Sequence, residues 1–231
     1  MPIRGLIFDF NGVLVDDESL HLWAFQQALK QMDLTLNETE YYEKYVVYDD
    51  RNFFQNLLRD RGYSSSAEDI RSLTMIKSSY YFKALGKKIP VIQPSINFLM
   101  ALPPNLPVAI ASGAARKEIE FVFGRLNLTQ RLAGIVASED VSNGKPNPET
   151  FLKALNCLKD RQSGLKAGQV CVIEDSAPSI PSIHSLAMRC IALTTVQPAE
   201  ILSEADLVLD TLEGWTLQKL EDHFKSNLVK D

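Results

Sequence analysis

Four short stretches of this chain carry side chains suited to handling an anion. Asp9 follows an apolar run, in Phe8-Asp9-Phe10-Asn11-Gly12. A carboxylate directly beyond a buried strand stands where open α/β sheets bind their ligands, as a nucleophile or a metal ligand would. Asn-Gly is equally a common turn pair and Asp a routine helix cap, so these residues alone leave both readings open. Ser112 lies in Ala111-Ser112-Gly113-Ala114-Ala115, between a second apolar run and a helical pattern. A hydroxyl beside the free N–H groups of a helix start cradles a phosphate, and it also serves as a plain N-cap. Lys145 stands between Gly144 and Pro146 at a helix entrance, a rigid mounting that a solvated lysine does not need. Glu174 and Asp175 follow directly on another apolar run. Adjacent carboxylates repel unless a cation lies nearby, and hard magnesium takes carboxylate oxygens. The plain alternative there is a polar loop in which Asp175 caps the next helix.

Bringing these stretches together requires strands whose ends coincide. Short apolar runs recur at Ile3–Phe10, Val108–Ala111, Ile135–Ala137, Val170–Ile173, Cys190–Leu193 and Leu207–Leu209. Runs of this kind, buried on both faces, are the sequence form of a parallel sheet. Helical patterns at Arg116–Leu126, Pro148–Leu158 and Ser179–Leu186 separate them, so the expected fold class is α/β with a doubly wound parallel sheet. Residues 16–91 break this rhythm. Leu22, Phe25, Leu29 and Met32 keep helical spacing, as do Ile70, Leu73, Ile76 and Tyr80. The expectation is a smaller all-helical domain over 16–91, inserted after the first strand of a core formed by 1–15 and 92–231. Gly62 to Ser66 is a polar turn within it, and Pro90 and Pro94 bracket the return.

The bulk properties exclude several classes. The chain of 231 residues is 45% hydrophobic and 23% charged, ordinary globular composition. With 24 basic and 29 acidic side chains its formal net charge is −5, so no long-range field draws in nucleic acid or an anionic membrane. Cys157, Cys171 and Cys190 are few and scattered, which indicates neither a disulfide framework nor a zinc site. No apolar stretch approaches the ~20 residues of a spanning helix, and Asp9 interrupts the first apolar run, so a soluble cytoplasmic protein is expected.

The order of the four stretches, with their flanking Gly and Pro, resembles the haloacid dehalogenase-like hydrolases over essentially the whole chain. The helical insertion after Val15 is similar to the cap of the branch that contains β-phosphoglucomutase and the phosphoglycolate phosphatase-like enzymes. Asp16, Glu18, His21 and Lys77-Ser78-Ser79-Tyr80-Tyr81 look like cap features of that branch. The resemblance implies a phosphatase or phosphotransferase dependent on Mg²⁺, acting on a small phosphorylated metabolite through an aspartyl-phosphate on Asp9. It implies that Ser112, Gly113 and Ala114 bind the phosphoryl oxygens and that Lys145 neutralises charge. It further implies that Asp9, Asn11 through its backbone carbonyl, Glu174 and Asp175 hold the metal. Hinges at Val13–Asp16 and Pro90–Pro94 and a closing cap are part of the same pattern.

One departure bears on catalysis. The family has a second Asp at the place of Asn11, which protonates the leaving oxygen and then activates water. An amide cannot exchange a proton at neutral pH, and losing a general acid–base group costs ~10²–10⁴ in rate. Slow turnover is therefore expected, with a catalytically weak phosphate-binding relative and a β-phosphoglucomutase-type isomerase as alternatives. A haloacid dehalogenase also lacks the second Asp, but works without metal and gives the acid pair no purpose. Pro181 and Ala187 replace residues such as Ala and Gly of the family, and Pro181 fits if it lies in a first helical turn.

The remaining candidates lie in the insertion. His21 reads equally as structural or as a substrate contact near the hinge. Arg51 is a substrate contact or a surface ion pair with Asp49 or Asp50, and Lys77 a substrate contact or part of a solvated face. Tyr41, Tyr42, Tyr45 and Tyr48 have helical spacing and read as core of the insertion.

Overall fold

The computed structural model describes residues 2–46 and 48–227. Six parallel strands form one sheet: β1 (Gly5–Phe8), β2 (Val108–Ala111), β3 (Leu132–Val136), β4 (Val170–Glu174), β5 (Arg189–Leu193) and β6 (Leu207–Leu209). Their spatial order is β3-β2-β1-β4-β5-β6. The chain builds outward from β1 to one side, then returns to its other side at β4. The β1/β4 boundary is therefore the topological switch point, where connections leave in opposite directions and open a crevice beyond the strand ends.

The chain divides into two compact units, Met1–Asp16 with Val91–Asp231, and Asp17–Pro90. The second is all helical: α1 (Glu18–Leu29), a single turn α2 (Glu38–Glu40) running into a π-helical turn Tyr41–Tyr45, α3 (Asp50–Asp60) and α4 (Ala67–Leu85). The starts of α2, α3 and α4 are each fixed by a side chain that satisfies an otherwise orphaned N–H. Asn37 accepts from the Glu40 N–H and Asp49 from the Asn52 N–H, both at 2.8 Å. Ser66 and Asp69 form a reciprocal capping box. The unit's core is aromatic: Phe25 stacks on Phe53 at 3.7 Å, with Phe54, Tyr41 and Tyr45 packed around them. Tyr41 and Tyr45 are buried as expected, whereas Tyr42 and Tyr48 stand exposed.

The face of α4 that turns inward differs from the apolar stripe in the sequence. Ile70 and Leu73 are buried, but Lys77 and Tyr81 follow them inside while Ile76 and Tyr80 lie only partly covered. A solvated Lys77 is therefore ruled out, since none of its side chain is exposed. Its ammonium is held by Asp50 at 2.6 Å and by His21 Nδ1 at 2.7 Å, above the rings of Phe25 and Tyr81. An ion buried this way is tolerated because its hydration is replaced by fixed partners, and apolar periodicity cannot foresee it.

In the first unit α5 (Gln93–Ala101), α6 (Arg116–Arg125), α7 (Glu149–Arg161), α8 (Ile180–Ser185) and α9 (Leu217–Asn227) accompany the sheet. Phe151, Ala154, Leu155 and Leu158 of α7, with Ile180 and Ile183 of α8, pack on the face that carries Ile7, Ala109 and Val172. Alternation sends Phe8 to the opposite face, where it meets Phe98 of α5 at 6.3 Å. Helices thus cover both faces, as the doubly wound reading requires. Observed strands differ from the apolar runs by a few residues: β1 ends at Phe8 and β3 begins at Leu132. Among the described residues no helix is long and apolar enough to cross a membrane.

Pro181 lies within the first turn of α8, where its missing N–H is no loss. Ala187 has φ +57°, in the left-handed region that glycine occupies without cost. That conformation costs a β-carbon ~1–2 kcal/mol, while glycine forfeits ~0.4–1 kcal/mol through the unfolded chain. Ala187→Gly is accordingly expected to stabilise the fold by up to about 1 kcal/mol in denaturant unfolding, in contrast to most glycine substitutions.

Candidate active site

Asp9 lies one residue past the end of β1, Ser112 one past β2, and Glu174 is the last residue of β4. Parallel register ties these ends together: Phe8 pairs with Ile110 on one side and Ile173 on the other. The Asp9 N–H donates to the Ile173 carbonyl at 2.9 Å, so the ladder holds the carboxylate at the switch point. The chain then turns sharply at Gly12, which has φ +71°. A β-carbon there would come within 1.8 Å of Asp175 Oδ2, so only glycine allows the two loops to close on each other.

Lys145 enters from the loop before α7. Its ammonium is 2.9 Å from Asp9 Oδ1 and 2.7 Å from Glu174 Oε1, and lies 4.9 Å from the centre of the Phe151 ring. The rigid mounting inferred from Gly144 and Pro146 has a further cause. Glu149, in the first turn of α7, accepts from the N–H groups of Ser142 and Asn143 and pairs with Lys153 at 2.7 Å. These partners hold the Glu149 carboxyl down at about 2, so it remains a charged clasp on the loop. The Ser182 hydroxyl also donates to the Pro146 carbonyl.

Glu174 is fully buried; its Oε1 faces Lys145 and its Oε2 accepts from the N–H groups of Asp175 and Ser176 at 2.7 and 3.1 Å. Ser112 is buried at the end of β2, where its N–H donates to Val136 and its Oγ accepts from the Ala114 N–H at 3.0 Å. That bond orients the loop as a helix cap does. Gly113 is exposed and Ala114 buried.

The electrostatics are those of too many carboxylates for one ammonium. Burial pushes the Asp9 carboxyl up to about 6, with Lys145 opposing and Glu174 adding to the rise. Burial, then repulsion from Asp9 and Glu174, pushes Asp175 up to about 9. Glu174 resists its own burial because Lys145 and Asp175 favour its charge, and its carboxyl stays below the usual range. Burial alone would lower Lys145; Asp9 and Glu174 outweigh it and raise the group.

Asp9, Glu174 and Asp175 offer ligand oxygens within 4.8 Å of one another, an arrangement that could hold a metal ion. The donors fit a hard divalent cation: all are carboxylates, their joint charge exceeds that of Lys145, and buried Asp9 Oδ1 accepts no aligned hydrogen bond among the described residues.

Sequence reasoning located these side chains but not all that holds them. Phe151 and Glu149 read as ordinary residues of a helix start. Gly12 read as half of a turn pair, with no sign of its approach to Asp175. In the helical unit His21 and Lys77 are in contact, while Arg51 is exposed in the first turn of α3. Its acidic neighbours have other partners, since Asp49 caps α3 and Asp50 binds Lys77. Of the partners of His21 and Lys77, Asp17 bears no mark in the sequence, Asp50 reads only as a possible ion-pair partner of Arg51, and Tyr81 only as part of a cap-like stretch. Tyr81 donates to Asp17 at 2.5 Å, and Asp17 lies 3.4 Å from His21 Nε2.

A doubly wound α/β protein with a helical insertion after its first strand, and an acidic, lysine-braced cluster at the switch point, is a recognisable class of enzyme. The chain belongs to the haloacid dehalogenase-like hydrolases, whose family model matches residues 6–193. A phosphorylated carbohydrates phosphatase of Thermotoga maritima is 24% identical, covering 90% of this chain and all of that protein. The β-phosphoglucomutase of Bacillus subtilis is 22% identical over 99% of both. The crystal structure of a β-phosphoglucomutase from Clostridium difficile shares the fold, with a TM-score of 0.80 and 21% identity over 98% of this chain and 99% of that one.

Proposed function

We propose that this chain is a magnesium-dependent phosphatase or phosphotransferase that acts on a small phosphorylated metabolite through an aspartyl-phosphate on Asp9. The observation that carries the proposal is the convergence of Asp9, Lys145, Glu174 and Asp175 at the switch point. The relatives named above are phosphate-ester enzymes by name, which supports the same reading.

The chemistry follows from these positions. An Asp9 oxygen attacks phosphorus, the phosphorus–oxygen bond of the ester breaks, and the departing oxygen needs a proton. Attack by an anion on an anion is repulsive, and Lys145 offsets part of that charge directly at Asp9. Magnesium held by Asp9, Glu174, Asp175 and the backbone carbonyl of Asn11 would supply the rest of the positive charge. Ser112 and the N–H groups of Gly113 and Ala114 are assigned to the phosphoryl oxygens. Asn11 cannot deliver the proton or activate water for the second step, so both depend on solvent or on a group of the substrate. His21 and Arg51 are assigned to the non-phosphate part of the substrate, as the family resemblance implies; Lys77, with none of its side chain exposed, would serve it only by orienting His21 and Asp50.

Hydrolysis of an aryl phosphate and of a panel of phosphorylated metabolites tests this reading. Slow turnover that needs magnesium and disappears with a chelator is expected; metal-independent turnover, or release of halide from a haloacid, overturns it. The Asn11 substitution favours a second reading, a relative that binds phosphate with negligible turnover. That reading predicts phosphate binding with no hydrolysis even after the acid is restored at position 11.

Metal addition has a signature of its own. Asp9 and Asp175 titrate higher in the fold than in the open chain, while Glu149 and Glu174, held low, act the opposite way only below about 5; between about 5 and 9 the folded state therefore holds more protons than the unfolded one. Stability of the metal-free protein therefore falls as pH rises through this window. Magnesium must displace those protons, so its affinity climbs over the same range, and at a hundredfold excess over Kd it adds about 2.7 kcal/mol. Thermal unfolding at several pH values, with and without magnesium, checks both slopes.

A further inference from the structure

The loop that follows β5 plays no part in the chemistry above, yet its residues Thr194–Gln197 contact both the turn after Asp9 and the turn after Asp175. Thr194 fixes the loop to the sheet: its N–H donates to the Leu209 carbonyl at 3.0 Å and its hydroxyl to Asp210 at 2.8 Å. The Thr195 hydroxyl donates to the Gly12 carbonyl at 2.5 Å. Val196, 70% exposed, rests against Gly12, with a methyl carbon 3.2 Å from where a β-carbon would stand. The Gln197 side-chain oxygen accepts from the Ala177 N–H at 2.8 Å, two residues beyond Asp175.

These contacts run across the sheet. In the strand order β1-β4-β5, the loop leaving β5 reaches over the end of β4 to the loop leaving β1. Neighbouring strands lie ~4.8 Å apart, so the loop bridges two strand spacings. Between its two anchor points Gly12 faces Asp175, whose Oδ2 lies 1.8 Å from where a β-carbon of Gly12 would stand. Asp9, Glu174 and Asp175 crowd this junction, Lys145 braces only the first two, and the pairing of β1 with β4 ends at the bond from the Asp9 N–H to the Ile173 carbonyl. Something beyond the ladder must hold the two turns in register.

We propose that Thr195 and Gln197 are positioning residues: the β5–β6 loop clamps the Asp9–Gly12 turn to the Asp175–Ala177 turn and sets the carboxylate spacing that receives the metal ion. The part concerning the ion rests on the metal reading given under Proposed function; the clamp itself does not. Partners that bond metal ligands directly commonly contribute 10- to 100-fold to affinity, and Thr195 and Gln197 act one step further out, through the backbone of Gly12 and Ala177, so the low end of that range is expected.

The test uses Thr195→Val, which keeps the shape and removes the hydroxyl, Gln197→Leu, and Thr195→Ser as the rescue. In the metal-free protein, amide hydrogen exchange is followed in residues 11–15 and 176–179. Each hydrogen-bond deletion is expected to accelerate exchange in its own loop by about tenfold, with Thr195→Ser close to native and strand β2 unchanged. Manganese, read by its paramagnetic signal, is then titrated: Kd rises by about tenfold for Thr195→Val and returns with Thr195→Ser. Exchange unchanged in both loops overturns the clamp. Faster exchange with manganese affinity within about twofold of native overturns its role in setting the metal site. A native chain that binds no manganese overturns the metal reading and the affinity part with it, while exchange still decides the clamp.

Discussion

Asn11→Asp is expected to raise kcat for phosphate-ester hydrolysis by ~10²–10⁴, the usual contribution of a general acid–base group. The substitution puts a carboxyl two residues from Asp9, where the family has one, on a turn whose backbone is already set by Gly12 and the Val15 carbonyl. KM should change little, because the restored group acts on the leaving oxygen and on water rather than in ground-state binding. A carboxylate added to a cluster already rich in negative charge will lower the stability of the metal-free protein, most visibly at high pH. Parallel kinetic and unfolding measurements therefore give opposite signs. A variant no faster than native would show that the missing acid is not what limits turnover.

Asp9→Asn is expected to abolish turnover, by about 10⁴-fold or more, as removal of a covalent nucleophile does. Lys145 does not become an unpaired buried charge, since Glu174 still binds it at 2.7 Å. The carboxyl removed was a strained one, pushed up to about 6 mainly by burial. The variant should hence be at least as stable as native without metal at pH 8, and should gain less from magnesium. Such opposite movement of activity and stability marks a site whose charges serve chemistry rather than folding. Loss of activity through misfolding would instead lower the unfolding midpoint at every pH.

The sheet was legible because strands buried on both faces leave continuous apolar runs, and every such run in the core is a strand. The candidate site was legible through its punctuation: an acid, a serine and an acid pair each follow directly on a run, and Lys145 stands between Gly and Pro. What escaped is what side chains do across space. Lys77 interrupts an apolar stripe on paper and occupies the interior of α4, because Asp50, His21 and two aromatic rings surround it. Gly12 spells a turn, while its need to be glycine comes from Asp175, distant in sequence. Ala187 adopts a glycine-like φ that its own chemistry disfavours, so only the resemblance hinted at it. Thr195 and Gln197 bear no local mark at all, since their partners lie in two loops contributed by other strands.

In the proposed reaction Asp9 accepts a phosphoryl group. The direct measurement is to mix the native protein with magnesium and a small acyl phosphate, quench in acid, and locate the added mass by peptide mass spectrometry. Because Asn11 cannot activate water, the aspartyl-phosphate should outlast its formation and accumulate on the peptide containing Asp9, and vanish in Asp9→Asn or with a chelator. A phosphoryl group on any other residue, or none on Asp9 under conditions where ester is being turned over, would show that Asp9 is not the nucleophile.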